Sequence, residues 1–128
     1  MLIQVGQEIY IVPIISICES FLPDTGQIII DSENNELILV RGVCTNVVRL
    51  HERFGIKNAM DDLTEGIIIV VEDDERMICL FADRLIGEQQ VVVKPLPKLF
   101  SRIHGLAGCT ILGDGRISLI LDIAGFFS

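Results

Sequence analysis

The sequence contains no tryptophan, one tyrosine and two histidines among its 128 residues. It also lacks long apolar runs, because a stretch such as residues 9–15 is far shorter than the roughly 18 residues that a membrane-spanning helix needs. The N-terminus has neither the basic region nor the small-residue cleavage site of a secretory signal. We therefore expect no direct membrane insertion and a cytoplasmic location.

Positive charge is scarce as well. The chain has 10 Lys and Arg against 18 Asp and Glu, which gives a formal net charge of −8. A phosphate backbone requires clustered Lys and Arg, so this composition argues against nucleic-acid binding. Half of the residues are hydrophobic and they occur in many short β-branched runs. This pattern predicts a β-rich fold with apolar surface left over for a partner.

The four cysteines are Cys18, Cys44, Cys79 and Cys109. They are widely separated, and no pair has the spacing of a zinc site or of a redox motif. We expect them to be reduced and to act as small core hydrophobes. The acidic runs at residues 61–62 and 72–75 lack the alternate spacing and central glycine of a calcium loop. The sequence therefore predicts no metal site.

Catalytic arrangements are missing too. His51 and His104 have no serine in a Gly-x-Ser-x-Gly setting to act with. The Gly113-Asp114-Gly115 string lacks the Lys-Ser/Thr ending and the following helix of a phosphate-binding loop. We therefore expect neither a catalytic residue nor a cofactor.

The clearest local signal is a hairpin within residues 105–123. Two strand-like runs flank Asp114-Gly115, a pair that favours a two-residue type I′ turn. Alternation along the return strand predicts one core face. That face would hold Ile117, Leu119, Leu121 and Ile123.

Other short strands are predicted at residues 1–5, 8–12, 28–31, 67–71 and 77–82. A single helical turn closed by a glycine is predicted at residues 51–55, and short helical segments at 98–103 and 124–128. Periodicity alone thus favours one all-β domain, either a sandwich or a barrel.

Three strings of this sequence resemble the CheW-like domain family. The first is the hairpin at residues 105–123, and the second is Arg41-Gly42 between two apolar strands. The third is Asp-Arg-Leu-Ile-Gly-Glu-Gln-Gln-Val-Val-Val-Lys at residues 83–94, which is similar to the C-terminal regulatory domain of the chemotaxis histidine kinase CheA. One departure is Thr45-Asn46, which stands where the family usually has an apolar residue and a proline.

The resemblance spans nearly the whole chain and implies a fold and a function. The implied fold is all-β, a single domain over residues 1–128 built as two small intertwined five-stranded SH3-like barrels with short helical turns. The implied function is non-catalytic. The domain would bind the coupling protein CheW and the cytoplasmic tips of chemoreceptors, and would pass the receptor signal to the rest of the CheA kinase.

The resemblance also suggests where partners bind. Receptor contact is expected at Ile15, Ile17, Glu19, Arg41 and Val43. Contact with CheW is expected at two turns, one formed by Glu72, Asp73, Asp74, Glu75 and Arg76, the other by Gly113, Asp114, Gly115 and Arg116. A purely structural alternative for Arg41 is an ion pair with Glu19 or Asp122.

Two other functions remain open from the residues. The Met1 start permits a free-standing CheW-type coupling protein, although the string at residues 83–94 favours the kinase branch. A small enzyme or a small-molecule-binding β-barrel would need a pocket with convergent polar groups, and the sequence offers few of them.

Overall fold

The computed structural model describes residues 1–100 and 103–127. Within those residues, eleven strands form two mixed sheets. Sheet 1 has the order β10-β11-β2-β1-β9. Its strands are β1 (Leu2–Val5), β2 (Glu8–Ile11), β9 (Arg84–Gly87), β10 (Leu106–Ile111) and β11 (Ile117–Leu121).

Sheet 2 has the order β3-β7-β8-β6-β5-β4. Its strands are β3 (Ile17–Phe21), β4 (Ile28–Ile30), β5 (Glu36–Val40), β6 (Val43–Arg49), β7 (Ile67–Asp73) and β8 (Arg76–Ala82). Neighbouring strands are antiparallel except for β11 with β2 and β6 with β8, which are parallel. The predicted all-β class is confirmed, with five strands in one sheet and six in the other.

In the described residues, helical structure is confined to short turns. The helix α1 spans Leu50–Arg53, and 3₁₀ turns span Ile14–Ser16, Thr25–Gln27, Lys98–Phe100 and Ile123–Phe127. Gly55 follows α1 with a φ of +65°, which confirms the predicted glycine stop. Residues 101, 102 and 128 of the two other predicted helical segments lie outside the described residues.

The β7–β8 hairpin is the centre of the core. Ile69 and Val71 pack against sheet 1, in a cluster with Ile3 and Tyr10. Ile68, Val70 and Cys79 lie on the opposite face of the same hairpin, in a second cluster with Ile38 and Phe81. Because both faces are buried, both must be apolar, which is why the sequence here is a continuous β-branched run.

Closure of the sheets into barrels stays a prediction. In sheet 1, one backbone contact covers part of an open edge. After β9 the chain crosses to the opposite edge of that sheet, where Lys94 and Cys109 of β10 exchange backbone hydrogen bonds of 2.8 and 2.9 Å. The edge of β10 is therefore partly paired at this point.

The hairpin turns differ from the sequence prediction in one place. The β10–β11 connection has three residues, because Gly115 donates to the Leu112 carbonyl at 2.9 Å and Leu112 donates to the Arg116 carbonyl at 2.8 Å. Gly115 has a φ of +87°, whereas Asp114 is not in the left-handed region. The predicted two-residue type I′ turn is wrong here, since Gly113 lengthens the loop into a type I turn followed by a left-handed glycine.

Two-residue turns with both φ angles positive occur instead at Arg41-Gly42 and at Asp74-Glu75. The first follows β5 directly, so Thr45-Asn46 lies inside β6 rather than in a turn. Thr45 is buried. The missing family proline therefore falls on a strand position, where its absence leaves the turn unaffected.

Two predictions about burial need correction. Ile117 is 55% exposed, while Ser118 on the other face of β11 is fully buried and donates a 2.6 Å hydrogen bond to the Ile9 carbonyl. This bond allows a serine to be buried beside the parallel strand β2. Cys44 is exposed rather than in the core, whereas Cys79 and Cys109 are buried. Burial raises the pKa of the Cys79 thiol to about 12.

Gly66 offers a direct test of the packing of β7 on β8. It is buried, and a Cβ added there would lie 2.6 Å from the Ala82 carbonyl oxygen and would overlap the Phe81 ring. We predict that Gly66→Ala lowers the free energy of unfolding by about 1–3 kcal/mol, measured by urea denaturation. Gly113→Ala is the control, because an added Cβ there meets nothing within 4 Å. Equal stability of the two variants would contradict the tight packing described here.

Candidate functional site

We call the predicted receptor contacts the Arg41 patch. They come from the 3₁₀ turn before β3, from β3, from the β5–β6 turn and from the start of β6, and they are Ile15, Ile17, Glu19, Arg41 and Val43. Arg41 and Glu19 are far apart in the strand order of sheet 2, yet the Arg41 Nε lies 3.2 Å from a Glu19 carboxylate oxygen. The sheet therefore curls until the β5–β6 turn reaches β3. Ile15, in the 3₁₀ turn before β3, is 95% exposed, and Val43 is 53% exposed.

The sequence predicted an ion pair of Arg41 with either Glu19 or Asp122, and the structure contains the pair with Glu19. Asp122, the other candidate, instead follows β11 in sheet 1. The side chains of Arg41 and Glu19 are 62% and 38% exposed, so water screens their attraction. An exposed pair of this kind contributes at most about 1 kcal/mol to stability. The pair thus leaves Arg41 available for contact with a partner.

The outer face of β5 and β6 exposes further apolar side chains that the sequence did not single out. This face is opposite to that of Val43, which is paired with the buried Val40. Leu39 and Cys44 are directly paired across the two strands, and both are exposed. Ile29 of β4 is paired with Leu37 on the same face. Residues 37–40 are all apolar, so alternation could not indicate which face of β5 is exposed.

The first predicted CheW contact is the acidic turn, Glu72 to Arg76, between β7 and β8. Side chains on both strands hold the base of this turn. The Arg76 guanidinium lies 3.2 Å from Asp73 and 4.4 Å above the Phe127 ring, while the Cys18 thiol donates to Glu72 at 3.4 Å. Burial, followed by the hydrogen bond to Glu72, raises the pKa of the Cys18 thiol. Asp74 and Glu75 project from this base into solvent.

The second predicted contact is the Gly113–Arg116 turn of sheet 1. The Asp114 carboxylate accepts hydrogen bonds from the Arg116 backbone N–H at 3.0 Å and from its Nε at 2.8 Å. These bonds, the backbone one first, hold the pKa of Asp114 below its usual value. The two predicted CheW contacts therefore lie on different sheets.

Arg49 organises a polar cluster beside the second core. Its guanidinium makes two hydrogen bonds to the Glu36 carboxylate, at 2.7 and 2.9 Å, and also contacts the carbonyl and carboxylate of Asp61. The hydrogen bonds from Arg49 are the main reason that the pKa of Glu36 is lowered. His51 Nε2 lies 3.6 Å from the same Asp61 carboxylate. This cluster fixes the loop before β7.

Two of the open depressions of the described residues lie across β2 of sheet 1. The first has a volume of about 420 Å³ and is polar, with Arg84 and Arg116 in its lining. The second, of about 360 Å³, is mostly apolar and includes the stacked rings of Tyr10 and Phe54, whose centroids are 5.1 Å apart. Sequence reasoning missed both, because their linings come from distant parts of the chain.

The described residues contain neither a metal-binding cluster nor a membrane-spanning helix. Among residues 1–100 and 103–127, no group of three or more His, Cys, Asp and Glu side chains could hold a metal ion. In the same part of the chain, no helix is long and apolar enough to cross a membrane.

Comparison with known proteins gives a consistent result along the chain. Residues 1–128 match the family model described as the CheW-like domain. A chemotaxis protein CheA from Treponema pallidum is 40% identical over 126 residues, covering 96% of this chain and 15% of the relative. A chemotaxis protein CheA from Klebsiella aerogenes is 32% identical over 124 residues, covering 97% of this chain and 19% of the relative. The chain thus spans less than a fifth of the length of these relatives.

A solved structure has a similar fold. The crystal structure of the scaffolding protein TtCheW from Thermoanaerobacter tengcongensis superposes with a TM-score of 0.76, at 22% sequence identity. The match covers 95% of this chain and 82% of that protein. At this level of identity, the likeness concerns the fold.

Proposed function

Because this chain belongs to the CheW-like domain family, we propose that it is the non-catalytic regulatory domain of a CheA-type chemotaxis kinase. The observation that carries the proposal is the match of nearly the whole chain to a segment of CheA proteins, at up to 40% identity among the relatives above. The domain docks the kinase onto the coupling protein CheW and onto chemoreceptor tips. It acts in the cytoplasm, where those tips lie.

Exposed apolar side chains support a docking role. Ile15, Leu22, Val92 and Leu99 are between 69% and 95% exposed. All four lie outside the strands, in 3₁₀ turns and connecting segments, where no core covers them. Exposed apolar side chains of this kind are available to pack against a partner protein.

The Arg41 patch receives the receptor tip. It combines exposed aliphatic side chains with an arginine and a glutamate whose mutual pairing is weak, as expected for a surface that exchanges its contacts on binding. The tip is a helical hairpin, whose apolar face would cover Ile15 and Val43. Receptor state then changes the free energy of this contact, and the coupling is passed to the kinase through the domain.

The acidic turn and the Gly113–Arg116 turn contact CheW. Since they belong to different sheets, each offers CheW a different surface. Unlike contacts of this kind close into rings when the rotation between subunits permits it. A ring of alternating CheW molecules and regulatory domains is the expected assembly.

A free-standing coupling protein is the second candidate, because the fold likeness is to a CheW scaffolding protein. The string at residues 83–94 and the identity to CheA segments favour the kinase. Sequencing the genomic DNA on both sides of this coding region separates the two: kinase domains in the same reading frame support the first proposal, and their absence supports the second.

Arg41→Ala tests the receptor surface. We predict that the free energy of unfolding changes by less than about 1 kcal/mol, because the Arg41–Glu19 pair is exposed. Binding to a receptor-tip fragment in a pull-down or by calorimetry should weaken about tenfold, equal to about 1.4 kcal/mol. Lys57→Ala is the control, since it removes one exposed positive charge elsewhere. Loss of cooperative folding in Arg41→Ala would make Arg41 a structural residue and exclude this assignment.

Titration calorimetry against CheW from the same organism tests the docking proposal. We predict micromolar or tighter binding that weakens when Asp74→Asn and Glu75→Gly are combined. This double variant removes two charges but puts the favoured Asn-Gly pair into a turn with two positive φ angles, so folding should be retained. A folded wild-type chain that does not bind CheW would overturn the proposal.

A further inference from the structure

The surfaces assigned above do not explain the polar depression of sheet 1. Its lining consists of Gln4, Gln7, Ile9, Arg84, Leu85, Ile86 and Arg116. Ile9, Gln4 and Arg84 form a row across β2, β1 and β9, because Gln4 is paired with both of the others. Arg116 ends the turn before β11, which pairs with β2 on the side away from β1. Three strand spacings, about 14 Å, separate β11 from β9, the strand of Arg84.

The charge of this lining is opposite to that of the chain. The whole sequence has a formal charge of −8, yet the lining contains two arginines, two amides and no carboxylate. Glutamate is close by in sequence, but Glu8 lines the neighbouring apolar groove instead. The depression is therefore a local positive site on an acidic protein, and it attracts anionic groups.

Arg84 has unused capacity to bind an anion. Its Nε donates a 2.6 Å hydrogen bond to Gln4 Oε1, a neutral acceptor. Gln4 is oriented for this by its own Nε2, which donates to the Gly6 carbonyl at 2.9 Å. In the part of the chain that the structure describes, no carboxylate lies within 4 Å of the Arg84 guanidinium. Its positive charge is thus held in place without a counter-charge.

Arg116 shows which chemistry the depression accepts. Its Nε binds the Asp114 carboxylate at 2.8 Å, and both side chains are more than half exposed. An exposed pair of this kind is weak, so an incoming carboxylate can replace Asp114 at little cost. Asp114 is therefore an internal competitor for a carboxylate ligand.

We propose that this depression binds a carboxylate side chain of CheW, held between Arg84 and Arg116. The inference rests on the proposed function, and it adds Arg84 and the ligand chemistry to the CheW contact at the Gly113–Arg116 turn. CheW is the occupant because Arg116 belongs to both surfaces, so a partner at the turn reaches the depression. Guanidinium groups bind carboxylates through paired hydrogen bonds, which gives the contact direction as well as attraction.

Calorimetry with purified CheW tests the proposal through three single variants. Arg84→Glu and Arg116→Glu should each weaken binding tenfold or more, since each replaces an attraction with a repulsion. Asp114→Asn should strengthen binding two- to threefold, because it removes the competing charge. The asparagine keeps an oxygen that accepts the Arg116 backbone N–H, so the turn is maintained.

Lys57→Glu is the matched control, because it makes the same change in net charge at an exposed loop position and should alter binding less than twofold. Circular dichroism checks folding, and Arg84→Gln and Arg116→Gln replace any glutamate variant that does not fold. Two results would overturn the carboxylate site and leave the proposed docking function intact. In the first, both arginine variants bind CheW with the same affinity as Lys57→Glu. In the second, Asp114→Asn weakens binding. A wild-type chain that does not bind CheW overturns both.

Sedimentation of the chain alone separates CheW from a second copy of the chain. We expect a monomer at the concentrations used for calorimetry. Self-association that disappears in Arg84→Glu and Arg116→Glu would assign the depression to the acidic turn of another copy, and would overturn its assignment to CheW.

Discussion

Burial of the β7–β8 hairpin on both faces is the constraint on which the rest of the structure depends. One face packs against sheet 1 through Ile69 and Val71, and the other closes the second core through Ile68 and Val70. The two faces of this hairpin are therefore not available to a partner. Surface for a partner remains at the exposed turn of the hairpin and at the other turns, the outer faces and the edges of the two sheets.

The passage from sheet 2 to sheet 1 is fixed by a single carboxylate. Asp83 lies between β8 and β9, where it accepts hydrogen bonds of 3.0 Å from the backbone N–H groups of Gly6 and Met60. It thereby connects the β1–β2 turn with the loop before β7. Gly6 fits there because an added Cβ would lie 2.8 Å from Ile56. Arg84 follows Asp83 directly. The segment that connects the two sheets therefore also positions Arg84 at one side of the polar depression.

Local sequence signals predicted the elements well, because strands here are short, apolar and separated by polar turns. They failed where an additional turn residue determines the length of a turn, or where a strand distant in sequence determines which side chains are buried. Gly113 converts the expected two-residue turn into a three-residue one, and the parallel strand β2 buries Ser118 while Ile117 stays exposed. Neither effect can be seen from alternation within one strand.

The candidate site was only partly predictable from the sequence. Glu19 was named as a possible partner of Arg41, and the structure pairs them. The Arg84–Arg116 depression was not predictable, because its lining joins residues from both ends of the chain through strand pairing.

Hydrogen–deuterium exchange of the chain with and without CheW tests the central claim, that this domain docks through the turns of its two sheets. The account predicts slower exchange on binding at the acidic turn and at the Gly113–Arg116 turn. The buried centre of β7 and β8 should be unaffected, which makes it the internal control. Exchange that is unchanged at both turns when CheW is saturating would contradict the account.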